Sequence, residues 1–148
     1  MLITVRDLLQ EKGDTVWTVS PDKPIIEAIK TMAEKQIGDL LVLEDGQIAG
    51  IVSERDIVWK IAETKTCNLD EPVSAYMTRE VFTVAPATKI EECMQIMTVE
   101  HIRHLPVVEN DQPVGIISIG DVIKGLLTAK DFTIDQMEKY ISGGGYNQ

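Results

Sequence analysis

The sequence predicts an α+β fold that consists of two copies of one β-α-β-β-α unit and an extra C-terminal helix. Residues 16–60 align with residues 81–125 at a constant offset and without a gap. Each copy contains one stretch in which apolar residues recur at helical spacing, and then two apolar runs that turn residues separate. Because chance does not preserve a register of this length, we infer a tandem duplication.

Each copy opens with a short extended segment and continues into a helix. The segments VWTVSP and VFTVAP both end at a proline, which suits a strand edge. The helix that follows is predicted from apolar positions close to a period of 3.6, which are Ile25, Ile29, Met32 and Ala33 in the first copy and Ile90, Met94, Met97 and Ile102 in the second.

A hairpin and a second helix complete each copy. In the first copy the runs LLVL and IAGIVS flank Asp45-Gly46, which is a strong hairpin signal. In the second copy LPVV and VGIIS flank Asn110-Asp111, which can form the same turn. Helices are predicted over 54–63 and 119–129, and an added amphipathic helix over 133–141.

The predicted bounds are 2–63 for the first repeat, 64–72 for a linker, 73–129 for the second repeat, and 130–148 for a C-terminal helix and flexible tail. A unit of roughly 50 residues buries little surface and leaves one sheet face apolar. We therefore expect the two sheets to pack face to face about a pseudo-twofold axis, so that any cleft between the repeats occurs twice.

Composition excludes several classes of partner. The formal net charge of −10 disfavours nucleic acid and anionic lipid, because both require a basic face. No apolar run approaches the roughly 18 residues of a membrane span, and the N-terminus does not resemble a signal peptide, so we expect a cytoplasmic protein. Cys67 and Cys93 fit two free thiols in a reducing compartment, with Cys93 on a buried helix face.

A serine and an aspartate end the last apolar run of both copies. Ser53 and Asp56 lie in GIVSERD, and Ser118 and Asp121 lie in GIISIGD. One interpretation is a capping box, which stabilises a helix by about 1 kcal/mol. Another is a nucleotide site, because the free N–H groups of a helix start bind phosphate and a carboxylate accepts hydrogen bonds from ribose hydroxyls. The two interpretations are compatible.

Three cations are candidates for a phosphate contact. Arg103 and His104 precede the central strand of the second copy, where the first copy has Gly38 and Asp39. A basic pair is conspicuous in an acidic chain, although cations at a helix end also have a purely stabilising explanation. Arg55, inside SERD, is a weaker candidate that also fits an ordinary surface charge.

A tandem pair of such units, each closing on G-h-h-S-x-x-D with h apolar, resembles a pair of CBS domains, in particular the small stand-alone bacterial proteins. The resemblance implies an adenosine ligand (AMP, ADP, ATP, NAD(H) or S-adenosylmethionine) in the clefts between the repeats. It implies that Asp56 and Asp121 hold ribose hydroxyls, that Ser53 and Ser118 contact phosphate or ribose, and that Arg103 and His104 face phosphate. Adenine is expected near residues 78–81, of which Thr78 is the first, and near the strand that ends at Ile117.

The resemblance further implies a homodimer, no required cofactor, and a protein partner that the sequence does not identify. Gly38 and Asp39 depart from the basic pair, so the second copy is the better predicted phosphate site. His101 and His104 stand three residues apart without a third ligand at a recognisable spacing, which disfavours zinc. Glycine-rich phosphate loops and nucleophile elbows are absent from the sequence.

Three functions follow from these observations. The leading interpretation is a non-catalytic sensor module that binds an adenosine nucleotide, senses energy or redox state, and modulates a partner protein. The alternative is a structural interaction dimer whose nucleotide cleft is vestigial. The third, an enzyme that acts on phosphate, lacks a recognisable base, nucleophile and metal cluster.

Overall fold

A computed structural model describes residues 3–144 of the chain. The elements are, in order, α1 (Val5–Lys12), β1 (Thr18–Val19), α2 (Ile25–Lys35), β2 (Asp39–Glu44), β3 (Gln47–Ser53), α3 (Glu54–Thr64), a 3₁₀ turn (Val73–Ala75), α4 (Ile90–Glu100), β4 (His104–Glu109), β5 (Gln112–Ser118) and α5 (Ile119–Gly144).

The β-α-β-β-α order of the first repeat is confirmed. β1 pairs with β2 in parallel, β2 pairs with β3 antiparallel, and the sheet order is β1-β2-β3. In α2, Ile25 and Met32 are buried as predicted, but Ala33 is exposed and Ala28 takes the buried position. α2 is the crossover connection between the parallel strands β1 and β2, which cannot be joined by a short hairpin.

The opening strand of the second repeat is reduced to a single bridge. Val84 forms an isolated parallel bridge with Val107, and the strand predicted in VFTVAP is otherwise absent from the described chain. In the first repeat the N–H of Leu41 donates to the carbonyl of Trp17 at 3.3 Å. In the second repeat the residue that corresponds to Leu41 is Pro106, which has no N–H. The pairing between the opening segment of that repeat and β4 therefore has one hydrogen bond fewer.

Both predicted hairpin turns are confirmed. Asp45 and Gly46 have φ angles of 53° and 78°, and Asn110 and Asp111 have φ angles of 52° and 60°. Positive φ at both central residues is the conformation that lets a two-residue turn match the twist of the strands it connects. Each turn therefore returns the chain directly into an antiparallel neighbour.

The C-terminal region corrects one expectation. The predicted helix at 119–129 and the added helix at 133–141 are one continuous helix, α5, of 26 residues. Between Leu126 and Thr133 the sequence LLTAKDFT contains neither proline nor glycine, so no residue in it ends a helix. The part of the predicted tail at 145–148 lies outside the described residues.

The described chain divides into two compact units, one of which contains residues 15–82 and 109–114. Its core combines the inner face of α2, the strands β2 and β3, the start of α3 and the 3₁₀ turn. The buried residues are Ile25, Ala28, Met32, Leu40, Val42, Val52, Ile57, Val73 and Tyr76. The segment at 73–78 thus belongs with the first repeat in space, although it follows the predicted linker.

The other unit contains the described residues 3–14, 83–108 and 115–144. Two backbone hydrogen bonds anchor the start of α1: Val5 donates to the carbonyl of Thr88 at 2.8 Å and Arg6 to that of Pro86 at 2.9 Å. The buried apolar residues of this unit are Ile3, Val5, Leu8, Val84, Ile90, Cys93, Met97, Leu105, Val107, Ile117 and Val122. The predicted repeat bounds, pseudo-twofold symmetry and packing of the sheets stay predictions.

Candidate functional site

The predicted serine and aspartate pairs lie where a strand passes directly into a helix. We call the start of α3, with Ser53 and Asp56, the first junction, and the start of α5, with Ser118 and Asp121, the second junction. The backbone N–H of Ser53 donates to Oδ2 of Asp56 at 2.9 Å, and that of Ser118 donates to Oδ2 of Asp121 at 2.8 Å. The aspartate N–H groups donate back to the serine hydroxyls at 3.1 and 3.2 Å. Both junctions are therefore capping boxes.

A third pair shows that capping alone accounts for this local geometry. At the start of α1 the N–H of Thr4 donates to Oδ2 of Asp7 at 2.8 Å, and the hydroxyl of Thr4 reaches the same oxygen at 3.1 Å. The sequence predicts no ligand at Thr4 and Asp7. What distinguishes the two junctions is consequently the further donor that each aspartate accepts from a distant segment.

At the first junction this further donor is Thr78. Its hydroxyl donates to Oδ1 of Asp56 at 3.1 Å, so the carboxylate accepts hydrogen bonds at both oxygens. The backbone of Thr78 pairs with Ile51 of β3 in both directions, at 2.8 and 3.0 Å. The structure thus brings three predicted site residues together: Ser53, Asp56 and Thr78.

Gly50 allows this pairing. A Cβ at this position would lie 2.7 Å from the carbonyl oxygen of Thr78 and 2.9 Å from Sδ of Met77. Carbon atoms do not approach a backbone oxygen so closely, so a side chain here would push the segment at 77–78 away from β3. Glycine is therefore required by the close approach of two backbones.

The other charged residues of the first junction do not form a phosphate clamp. Arg55 is exposed, and its guanidinium lies 4.1 Å from the ring centroid of Trp59, one turn further along α3. Asp39 is opposite Ser53 in the β2–β3 register and is only 7% exposed. The expectation that the first copy is the weaker phosphate site stays a prediction.

At the second junction the further donor is Lys12, from the last turn of α1. Its ammonium group donates to Oδ2 of Asp121 at 2.7 Å and to the carbonyl oxygen of Ile116 at 2.8 Å. Burial raises the pKa of Asp121, but hydrogen bonds from Lys12 and Ser118 and the charge of Lys12 lower it by more, so that the net pKa lies below the ordinary value. Asp121 is therefore a stable, partly covered carboxylate at neutral pH.

The predicted basic pair lies at the start of β4, with Arg103 on the connection from α4 and His104 as the first residue of the strand. The carbonyl of Arg103 accepts a hydrogen bond from the N–H of Ile119 at 2.8 Å, which ties this connection to the first residue of α5. The Arg103 side chain is exposed, and His104 is half-buried as the first residue of β4. The structure thus brings Arg103 to the second junction through its backbone, and its role with phosphate stays a prediction.

Sequence reasoning missed Lys12. Its partner is 109 positions away, and a lysine at the end of an amphipathic helix is ordinarily explained by solvation and by the helix dipole. A weak signal existed in the composition, because Lys12 is one of only 14 cations in a chain of net charge −10. Nothing in its spacing pointed to Asp121.

The remaining candidate chemistries find no support within residues 3–144. His101 ends α4 with a φ of 55°, and His104 begins β4, so the two histidines do not share a helix as their spacing suggested. Among the described residues no group of three or more His, Cys, Asp or Glu side chains could hold a metal ion. Cys93 is buried, and burial followed by the charge of Glu92 raises the pKa of its thiol to about 11.

Two further properties of the described residues concern membrane spans and surface hollows. A membrane-spanning helix, one that is both long and apolar enough, is not found in the described part of the chain. A shallow hollow of about 270 Å³ lies beside β1 and α2. Its lining consists of Thr18, Val19, Ser20, Lys23, Glu27, Thr31 and Leu43, so it contains none of the predicted site residues.

Comparison with known proteins identifies related sequences and folds. The family model described as "CBS domain" matches residues 5–63 and 73–128. The CBS domain-containing protein CBSX3, mitochondrial, of Arabidopsis thaliana is 33% identical over 150 aligned positions, which cover 95% of this chain and 73% of that protein. The tandem match agrees with the duplication inferred above.

Solved structures extend the likeness to the fold. The CBS-domain containing protein ATU1752 from Agrobacterium tumefaciens superimposes with a TM-score of 0.80 at 42% identity, over 83% of this chain and 98% of that one. The CBS domain pair of protein MJ0100, in complex with 5′-methylthioadenosine and S-adenosyl-L-methionine, has a TM-score of 0.75 at 26% identity, over 88% and 99% of the two chains.

Proposed function

Because this chain belongs to the CBS domain family, we propose that it is a non-catalytic sensor module that binds an adenosine-containing molecule and modulates a partner protein. One observation carries the proposal. At each junction the aspartate is engaged by a donor from a distant segment in addition to its own capping bond. Capping a helix requires no such second donor, as Asp7 demonstrates.

The chemistry of these carboxylates suits a ribose. An ionised carboxylate has about four lone-pair positions and donates no hydrogen bond, so it can accept both hydroxyls of a vicinal diol. The hydroxyl of Thr78, which donates to Asp56 at 3.1 Å, occupies the kind of position that a ribose hydroxyl would take. The lowered pKa of Asp121 keeps that carboxyl ionised and able to accept at neutral pH.

The start of a long helix supplies the complementary attraction for a phosphate. Free N–H groups and the positive end of the helix dipole face the residue that precedes α3 or α5. Ser53 and Ser118 precede these helices, and Arg103, whose carbonyl accepts from the N–H of Ile119, adds a cation beside the second junction and is followed by His104. We therefore assign a phosphorylated ligand (AMP, ATP or NAD(H)) to the second junction in the first place.

The comparison with MJ0100 supports an adenosine ligand in general. Both molecules bound to that protein, 5′-methylthioadenosine and S-adenosyl-L-methionine, contain adenosine and lack a phosphate. Adenosine is thus the part that these molecules share with AMP, ATP and NAD(H). The comparison accordingly supports the nucleoside, whereas the preference for a 5′-phosphate rests on the second junction of this chain.

A thermal-shift panel tests the proposal. A ligand that binds only the folded state stabilises it by about 2.7 kcal/mol at a hundredfold excess over its Kd. We expect a rise in Tm with at least one of adenosine, AMP, ATP, NAD(H) and S-adenosylmethionine. With a phosphorylated ligand (AMP, ATP or NAD(H)) the rise should vanish in Asp121→Ala and persist, smaller, in Asp56→Ala.

Asp7→Ala is the matched control, because it removes a capping carboxylate of the same kind from α1. It should lower the Tm of the free protein and leave the ligand-induced rise intact. Equal rises in the wild type and in Asp121→Ala would remove Asp121 from the site. Absence of any rise across the panel would favour the alternative of an interaction protein with a vestigial site.

Exposed apolar side chains support the homodimer and the protein partner. On α3, Val58 and Trp59 are 61% and 59% exposed, and on α5, Leu127 is 56% exposed. Large apolar residues exposed on helices commonly mark association surfaces. Light scattering after size exclusion should give twice the chain mass of 16.5 kDa, and Val58→Glu should reduce it to a single chain. A monomeric wild type would refute the homodimer.

A further inference from the structure

The two junctions satisfy the same two acceptor groups, a strand carbonyl and an aspartate carboxylate, with different donors. At the first junction Thr78 supplies both donors: its backbone N–H reaches the carbonyl of Ile51 at 2.8 Å, and its hydroxyl reaches Asp56 at 3.1 Å. Within the alignment of the repeats, Ile51 corresponds to Ile116 and Asp56 to Asp121. These are the two groups that Lys12 contacts.

At the second junction a single ammonium group therefore replaces a backbone amide and a hydroxyl. Lys12 donates to Ile116 at 2.8 Å and to Asp121 at 2.7 Å. Its side chain is 35% exposed, and that of Asp121 is 24% exposed. Since an ammonium group has three N–H donors, one remains after these two bonds. The replacement adds one positive charge to the second junction.

The length of α1 explains why a side chain takes over from the backbone. The bonds that anchor α1 repeat those that anchor the 3₁₀ turn, where Val73 donates to Lys23 at 2.8 Å and Ser74 to Pro21 at 2.9 Å. After this anchor the chain at 76–78 leaves the turn and pairs with β3. α1 instead continues to Lys12, and the N–H of Gly13 returns to Leu9 at 2.7 Å. Because α1 is longer by about one helical turn, the contact with β5 is made by the side chain of Lys12.

The electrostatic consequence differs between the junctions. At the first junction the distant donor to Asp56 is the neutral hydroxyl of Thr78, and Arg55 stacks on Trp59. At the second junction Lys12 pairs directly with Asp121 and neutralises it. A phosphate on the ribose that an aspartate grips lies within several ångströms of that carboxylate, where an uncompensated negative charge repels it.

We propose that Lys12 is a specificity-determining residue that makes the second junction prefer a 5′-phosphorylated adenosine over adenosine itself. The inference rests on the proposed function, since it assigns the charge class of the ligand at that same site. Lys12 cancels the charge of Asp121 and offers its third N–H to the phosphate. At the first junction the corresponding donor, the hydroxyl of Thr78, is neutral, so this junction is left for adenosine ligands without a phosphate.

Calorimetric titration with AMP and with adenosine tests the assignment. The titrations use the full chain with Asp56→Asn, which removes the carboxylate of the first junction and keeps a side chain able to cap α3. Adding Lys12→Met should weaken the binding of AMP about five- to tenfold. This is the effect expected from removing one unit charge that lies several ångströms from the phosphate at a partly screened site. The affinity for adenosine should change less than about twofold, because adenosine carries no charge.

Two controls separate charge from structure. Lys124→Met removes the other ion pair between α1 and α5, with Glu11 at 3.3 Å, and should leave the preference for AMP unchanged. Lys12→Arg retains the charge and should retain most of the preference. If Lys12→Met changes the affinities for AMP and for adenosine by the same factor, the assignment is overturned, but the proposed adenosine site is not. If neither ligand binds any variant or the wild type, the assignment of Lys12 fails, and the proposed function fails with it only if ATP, NAD(H) and S-adenosylmethionine also give no thermal shift.

Discussion

Replacing Gly50 by alanine should destabilise this protein far more than the same change at Gly115. The two glycines correspond in the repeats and both are buried in the last strand of their hairpins. At Gly50 the new Cβ would lie 2.7 Å from the backbone oxygen of Thr78. At Gly115 it would lie 2.7 Å from Cδ2 of Leu9, the flexible end of a side chain.

The size of each loss in unfolding free energy depends on which atoms must move to accommodate the new Cβ. A backbone oxygen can retreat only if the segment at 77–78 leaves β3, so overpacking costs about 1–3 kcal/mol, and the lost Thr78–Asp56 hydrogen bond adds about 1 kcal/mol. Leu9 can relieve its contact by a change of rotamer, at about 1 kcal/mol. We therefore expect a free energy of unfolding about 1–3 kcal/mol lower for Gly50→Ala than for Gly115→Ala.

Urea denaturation at 25 °C, followed by circular dichroism, measures this difference. Because alanine lowers the backbone entropy of the unfolded chain equally at both positions, that contribution cancels in the comparison. Equal losses in the two variants, or a larger loss in Gly115→Ala, would refute the close approach of Thr78 to β3. Gly50→Ala should also weaken ligand binding at the first junction, since it displaces Thr78 from Asp56.

Three other outcomes are expected. Ellman's reagent should modify the exposed Cys67 rapidly and Cys93 only on unfolding, because burial raises the pKa of that thiol to about 11; two rapid equivalents would contradict this. Ser53→Ala should lower the free energy of unfolding by about 1 kcal/mol through loss of the cap, whereas an unchanged urea midpoint would argue against it. The folded-state pKa of Asp121 is lowered, so its pairing with Lys12 stabilises the protein above the ordinary carboxyl pKa of about 3.9 and is lost as the pH falls below it. The stability difference between wild type and Asp121→Asn should therefore shrink between pH 7 and pH 3, from at most about 1 kcal/mol for this partly exposed pair, and a constant difference would exclude the ion pair.

Much of the fold could be predicted because the relevant interactions are local. Hairpin turns at Asp45-Gly46 and Asn110-Asp111 follow from residues that tolerate positive φ. The capping boxes of α3 and α5 follow from a spacing of three residues within one turn. The one missing strand has a local cause too, since Pro106 removes a donor, but its effect depends on a partner strand that the sequence does not display.

The candidate site was predictable in its serines and carboxylates, but not in the further donors to those carboxylates. Asp56 and Asp121 were found because the repeat displays them twice at the same place. Their further donors differ between the copies, so the repeat carries no information about them. Thr78 was included through the family resemblance alone, and Lys12 was missed.

The sequence alone determined the duplication, which self-alignment displays. It also determined α2, α3 and α4, the two hairpins and the capping of α3 and α5, because these depend on residues a few positions apart. Tertiary structure decided which donor meets each aspartate: Thr78 for Asp56, and Lys12 for Asp121 across 109 positions. That choice depends on where α1 and the segment at 73–78 pack, and a difference of one helical turn between them exchanges a neutral hydroxyl for a positive charge. Contacts of this range are set by packing of whole elements, which no local pattern of residues encodes.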